Sequence, residues 1–195
     1  MTRTDIINKL IKKNNYKTYL EIGVNTPNQP GYNWINVDVQ LKHGVDPNVD
    51  TTYKVTSDVF FEKYIPHKYD LIFVDGLHTF EQSYKDIINS LAFLNENGTI
   101  VVHDCNPINE ISQRPIRESN EWNGDVWKSI LKLRLENKDL QIYTVDTDYG
   151  CSVIKKGRQD LLKPENNMYD YFYFEKNKNK ILNLISVNEF ILKFV

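Results

Sequence analysis

The chain of 195 residues has only two cysteines, Cys105 and Cys151, too few for a disulfide framework or a cysteine zinc site. No apolar run approaches the ~18 residues needed to cross a bilayer. The N-terminal stretch Met1-Thr-Arg-Thr-Asp-Ile-Ile-Asn8 has no signal-peptide core. These absences predict a cytoplasmic protein with no membrane role. An excess of charge is also lacking. The formal net charge is -2, which gives no support to binding nucleic acid or another polyanion. Neither Gly-x-Gly-x-x-Gly nor Gly-x-x-x-x-Gly-Lys-Ser/Thr occurs among its eight glycines, which disfavours a phosphate-rich ligand as the main occupant of a site.

The residues present are those of a globular chain, 41% apolar and 26% charged. The length fits one domain, 1–195, with a single core. Its clearest segment is Tyr69-Asp-Leu-Ile-Phe-Val-Asp-Gly-Leu-His78. The unbroken apolar run Leu71–Val74 suits a strand buried on both faces of a parallel sheet. It ends in Asp75, Gly76 and His78, where strand ends of an open α/β sheet present ligand-binding groups. The local alternative is that Asp75 or Thr79 caps the following helix.

Around this segment the periodicity predicts an amphipathic helix over 4–14, a strand over 19–23 and a loop over 25–31. Residues 32–41 read equally as helix or strand. Further strands are expected at 43–47 and 53–56, then a helix capped by Ser57 or Asp58 and carrying Phe60, Phe61 and Tyr64. Phe80, Tyr84, Ile87, Ile88 and Leu91 recur at helical spacing, predicting a helix over 80–94. Asn95-Glu-Asn-Gly98 should end it. Thr99-Ile-Val-Val-His-Asp104 is a second buried run, so the two runs and their helix form a βαβ crossover.

Residues 105–123 form a polar loop long enough to act as a lid. Asp125 is expected to cap a helix over 126–136. A hairpin with a five-residue turn, 146–150, follows. The tail predicts a helix from about 178 and another from Ser186, where Glu189 completes a capping box. The expected architecture is therefore α/β, with a mostly parallel sheet and one antiparallel strand near the end.

Glu21, Asp46, Asp75 and His103-Asp104 all end predicted strands. In one parallel sheet those ends share an edge, so the acids converge on one crevice. Carboxylates suit a cationic, hydroxyl-rich ligand; S-adenosylmethionine (SAM) fits, with its ammonium, sulfonium and ribose diol. His78 and His103 are base candidates by position. His43 and His67 read as surface residues and Cys105 as a packing residue. Arg114 and Arg117 read by default as solvated loop residues, with binding of an anionic acceptor as the alternative, and Trp122 and Trp127 as anchors to the core.

Six segments occur in a familiar order: Leu20-Glu-Ile-Gly-Val24, Gly44-Val-Asp-Pro47, Thr56-Ser-Asp58, Phe73-Val-Asp-Gly-Leu-His78, Val102-His-Asp-Cys-Asn-Pro107 and Trp122-Asn-Gly-Asp-Val-Trp-Lys128. Together they resemble class I SAM-dependent methyltransferases, in the branch near small-molecule and sugar O-methyltransferases and cephalosporin-hydroxylase-like proteins. The resemblance implies a Rossmann-like fold with a mostly parallel seven-stranded sheet, a C-terminal antiparallel hairpin strand and helices on both faces. It spans a core of about 16–160, with a helical extension over about 161–195.

It also implies residue roles. Glu21 and Gly23 would lie by the amino-acid part of SAM, and Asp46 by the ribose, with Asp38 its rival. Ser57 and Asp58 would lie near the adenine, and Asp75 also beside the cofactor. Asp75, His78, His103 and Asp104 would serve catalysis, and Asp75, His103 and Asp104 would hold a divalent metal if one is used. The implied activity is methyl transfer to a hydroxyl of a small molecule or carbohydrate; a homo-oligomer stays open. The alternatives are a SAM-binding domain without catalysis that acts through protein interaction, and a dinucleotide oxidoreductase, which the absent glycine fingerprint disfavours.

Overall fold

The computed structural model describes residues 1–64 and 67–195. The chain opens with α1 (Arg3–Asn14), whose Thr2 and Asp5 form a reciprocal capping box. Its Ile6, Ile7, Leu10 and Ile11 face inward at helical spacing, and Asn15 ends it in the left-handed region at φ 55°. Next come β1 (Thr18–Ile22), the single-turn α2 (Asn33–Asn36), β2 (Leu41–Val45), α3 (Ser57–Lys63) and β3 (Tyr69–Val74). The second half holds α4 (Phe80–Ala92), β4 (Leu94–Val102), α5 (Trp127–Glu136), β5 (Leu140–Val145), β6 (Cys151–Lys156), α6 (Tyr171–Leu182), β7 (Leu184–Ile185) and α7 (Val187–Phe194).

The strands form one sheet of order β2-β1-β3-β4-β6-β5-β7. Only β6 runs against its neighbours. The expected α/β sheet with an antiparallel hairpin strand is what forms. β1, β3 and β4 are apolar on both faces because both faces are covered. Leu20, Ile22, Ile72, Val74, Ile100 and Val102 pack with Phe60, Ile87, Trp127 and Phe174 of α3–α6. Tyr19, Leu71, Phe73 and Val101 pack with Ile6 and Leu10 of α1 and Phe190 of α7.

Several local expectations change. Tyr53–Thr56 is not a strand but a single bridge to Val45. The N-cap of α3 is Thr56, whose hydroxyl accepts from Val59 N, rather than Ser57 or Asp58. Asn95–Gly98 does not end α4 as a loop: it is the start of β4, where pairing to β3 is irregular between Tyr69 and Leu71. The tail helix expected from about 178 starts earlier, as α6 capped by Asp170, with Phe174 stacked on Trp127 at 4.2 Å. Ser186 and Glu189 do form the expected capping box. Among the described residues, no helix is long and apolar enough to cross a membrane.

The register places the site. Ile22 pairs with Val45 and with Val74, and Val74 with Val102. These four residues are level across four parallel strands. One step further, Gly23, Asp46, Asp75 and His103 emerge in a row. Because β6 is antiparallel and Ser152 pairs with Val102, the turn before β6 comes to the same edge.

Candidate active site

A cavity of about 770 Å³ lies along this edge. Towards β2 and β1 it is lined by Gly23, Asp46, Ser57 and Asp58; towards β3 and β4, by Asp75, His78, His103 and Asp104. Gly23 sits at φ 86°, and a Cβ there would come 2.0 Å from the Asp75 carbonyl oxygen. Glycine therefore serves both the left-handed turn and the close passage of the two loops. Asp46 is buried and held by backbone donors, with Asn25 N 2.9 Å from Oδ2 and Asn48 N 2.8 Å from Oδ1. Its rival Asp38 is exposed and does not line the cavity.

Glu21 is displaced from its expected place. Side chains alternate along β1, so Glu21 follows Tyr19 onto the α1 side of the sheet and does not line the cavity. It is buried and accepts from Tyr19 Oη at 2.9 Å. Burial pushes its carboxyl up to about 8, the nearby Asp75 charge adding to this and the Tyr19 hydrogen bond opposing it.

On the β3–β4 side two carboxylates enclose two imidazoles. His78 Nε2 is 3.2 Å from Asp75 Oδ1, and its Nδ1 is 3.3 Å from Asp104 Oδ2. His103 Nδ1 is 3.4 Å from Asp75 Oδ1 and 3.2 Å from Asp104 Oδ2, while its Nε2 is 3.4 Å from Asp148 Oδ1. Burial favours neutral His103, but the charges of Asp75 and Asp104 outweigh it and raise its proton affinity well above the ordinary range. Burial likewise acts against charged His78, and the hydrogen bond and charge of Asp75 reverse the effect. Asp75 is pushed up by burial and brought below the usual carboxylate range by the His103 charge and by hydrogen bonds from both histidines. Two close carboxylates are thus compensated from within the protein.

The donor atoms that converge are not the full expected metal set. His103, between Asp75, Asp104 and Asp148, is not among the donors that converge. The donor atoms that converge are those of Asp75, His78 and Asp104, all within 4.8 Å of one another. His78 Nδ1 also lies 3.1 Å from the Trp122 carbonyl oxygen. A carbonyl only accepts, so Nδ1 carries a proton and Nε2 is the end that can exchange one or meet an ion.

Several residues at the site were given no site role by the sequence. The segment Trp122–Asp125 grips the cluster from one side. Trp122 stacks on His78 with ring centroids 5.0 Å apart, so it belongs to the site and is more than a loop anchor. The Asn123 amide donates to Asp104 Oδ1. Gly124, at φ 62°, passes so close that a Cβ would lie 1.7 Å from the His78 carbonyl oxygen. Asp125 does not cap α5: its Oδ1 accepts from Phe80 N at 2.7 Å and caps α4. That also answers the local alternative at this helix, since Thr79 makes no side-chain cap.

From the other side, Asp148 in the hairpin turn accepts from Arg3 N at 2.7 Å and pairs with the Arg3 guanidinium at 3.2 Å. Burial would raise the Asp148 carboxyl, but the neighbouring His103 and Arg3 outweigh it and hold it down to about 2. The 105–123 loop is partly fixed, with Ser112 and Gln113 buried, while Arg117 and residues 120–123 line the cavity. Cys105 is buried packing, as expected. His43 and His67 are half-buried rather than surface residues, and their rings lie against each other at 5.2 Å beside Tyr69.

The family model for the methyltransferase domain matches residues 6–105, and the chain belongs to that family. No curated protein matches it. Among solved structures it is similar to a candidate caffeoyl-CoA O-methyltransferase from Staphylococcus aureus. The identity is 19%, coverage is 79% of this chain and 82% of that one, and the TM-score is 0.60. It is also similar to the SAH-bound methyltransferase PaMTH1 of Podospora anserina, at 16% identity, 79% and 77% coverage and TM-score 0.56. A third likeness is to a candidate O-methyltransferase from Klebsiella pneumoniae, at 14% identity, 80% coverage of each chain and TM-score 0.54. At these identities the likeness is one of fold.

Proposed function

We propose that this methyltransferase moves the methyl group of SAM to a hydroxyl of a small molecule or carbohydrate. The observation that carries the reading is the Asp75/His78/Asp104 cluster, set in the same cavity as Gly23, Asp46, Ser57 and Asp58. A volume of about 770 Å³ suits a nucleoside-sized donor beside a small acceptor. The SAH-bound Podospora neighbour has the same fold, which supports SAM as donor.

Gly23 and Asp46 receive the amino-acid and ribose parts of the donor, and Ser57 and Asp58 lie by its adenine. The sulfonium supplies a methyl carbon open to displacement. The acceptor hydroxyl must be held in line with it and relieved of its proton as the new O–C bond forms and the C–S bond breaks. His78 Nε2, once its ring is neutral, is the group that takes that proton; Asp75 beside it favours the charged ring that results, and Asp104 and Trp122 O keep the ring oriented. Asp75, His78 and Asp104 are also the residues that would hold a divalent ion. A bound cation there would acidify a hydroxyl. The nitrogen-oxygen donor set suits zinc, manganese or iron better than magnesium.

The test is transfer of labelled methyl from SAM to a panel of hydroxylated acceptors, with and without chelator, paired with calorimetry of SAM binding. Asp75→Asn is expected to abolish transfer while keeping SAM affinity. Wild-type turnover in Asp75→Asn would remove the cluster from the mechanism.

A further inference from the structure

Two arginines stand three residues apart on the loop after β4, and their surroundings differ. Arg114 is enclosed by carboxylates: Nε and Nη2 meet Glu110 at 3.0 and 2.9 Å, and Nη1 meets Glu118 at 2.6 Å. Its charge is compensated, and it does not line the cavity. Arg117 does line it. Its Nε and Nη2 donate to the backbone carbonyls of Ser119 and Asn120 at 3.3 and 3.1 Å. Those bonds fix the guanidinium without neutralising it. Arg3, the other arginine on the cavity wall, is paired with Asp148. Among the described residues, Arg117 is thus the cavity arginine with no carboxylate partner.

We infer that Arg117 binds an anionic group, a carboxylate or a phosphate, on the acceptor whose hydroxyl is methylated. The inference rests on the proposed methyl transfer and narrows its substrate class to hydroxylated acids. Arginine suits this work because its planar fork meets an oxyanion through two parallel bonds. Here two carbonyls already hold the fork, so little side-chain freedom remains to be lost on binding. The same cavity wall offers Trp122, stacked on His78, and Leu77, an apolar lining residue that is 57% exposed. Such a wall receives the apolar body of the acceptor. The cavity also carries Asp46, Asp58, Asp75, Asp104 and Glu121, so an acid with no cation to meet would be repelled. An unpaired arginine on that wall reverses the local sign.

The test uses matched pairs of hydroxylated aromatic and sugar compounds, each as free acid and as methyl ester. Two readouts run in parallel: kcat/KM for labelled methyl transfer, and calorimetric affinity for the SAH-loaded protein. The wild type is expected to favour at least one acid over its ester by tenfold or more in both. Arg117→Ala is expected to bring that ratio to near one, Arg117→Lys to restore part of it, and Arg114→Ala to keep it. SAM affinity should not change in any variant. Acids that bind and react no better than their esters in the wild type, or a preference surviving in Arg117→Ala, overturn the inference. Failure to bind SAM would instead strike the proposed function. In that case the acid-versus-ester affinity of the protein alone still decides the role of Arg117.

Discussion

The side-chain amide of Asn123 donates to Asp104 Oδ1 while the backbone N–H of Asn123 is tied to the Ser112 carbonyl at 2.9 Å. The carboxylate thus takes its orientation from a loop anchored elsewhere. Asp104 itself sits at φ 60°, a left-handed turn that aspartate tolerates better than most side chains. Asn123→Ala should lower methyl transfer about 10–100-fold, the usual effect of losing a group that orients a reacting one. SAM affinity should stay within about twofold. Steady-state kinetics and calorimetry read the two quantities separately, and equal losses in both would assign Asn123 to donor binding instead.

Asp125 should matter for stability through α4. Its carboxylate receives the Phe80 amide on one oxygen and Lys128 Nζ at 2.9 Å on the other. Asp125→Ala should cost about 0.5–2 kcal/mol in denaturant unfolding, the range for a lost N-cap. Asp125→Asn, which still accepts a hydrogen bond, should recover most of it. Loss of amide-exchange protection should concentrate in the first turn of α4 rather than of α5.

Asp46 and Asp38 separate cleanly. Asp46→Ala is expected to weaken SAM binding by about 1–3 kcal/mol, through lost charge-assisted bonds. Asp38, exposed and outside the cavity, should give wild-type affinity as alanine. A titration showing the reverse order would move the ribose contact to the other loop.

Glu21 gives a pH dependence of defined sign. Its folded-state pKa is raised from 4.5 to about 8 by burial. The folded protein therefore keeps a proton that the unfolded chain releases above about 4.5. Its contribution to stability is full below that pH and is lost as pH rises to about 8, with a ceiling of roughly 5 kcal/mol. Glu21→Gln, which keeps an acceptor for Tyr19 Oη, should flatten the decline. Unfolding free energies at pH 5 and pH 8 should then differ less in the variant than in the wild type.

The sheet and its ligand edge were legible because a parallel strand covered on both faces has no choice but to be apolar. Leu71–Val74 and Ile100–Val102 show this plainly. That same uniformity hid the facing of Glu21: with no alternation in Tyr19-Leu-Glu-Ile, nothing marks which face a residue takes. Asp75, Asp46 and Asp104 could be read as site residues because they interrupt such runs. Arg3 and Asn123, which line the cavity, and Asp148, which meets His103, could not, since their contacts are distant in sequence and each is of a type common on surfaces. Asp125 stands two residues before α5 and resembles its cap; only the fold brings it to α4. The approach of Asp148 to His103 Nε2 is likewise one that no motif announces.

The placement of β6 between β4 and β5 has a consequence for how the protein is made. Among the described residues β5 reaches β4 only through β6, so the hairpin docks against the exposed edge of β4. Until it does, His103 lacks Asp148 and the N-terminal helix lacks the anchor for Arg3. A ribosome-bound chain that has emerged only as far as α5 can hold Asp75, His78 and Asp104 in sequence, but not the wall that closes around them. The centre is therefore completed late in folding, by pairings of long loop closure, which are the slow ones. Appearance of methyl transfer on refolding should lag behind the recovery of helical signal.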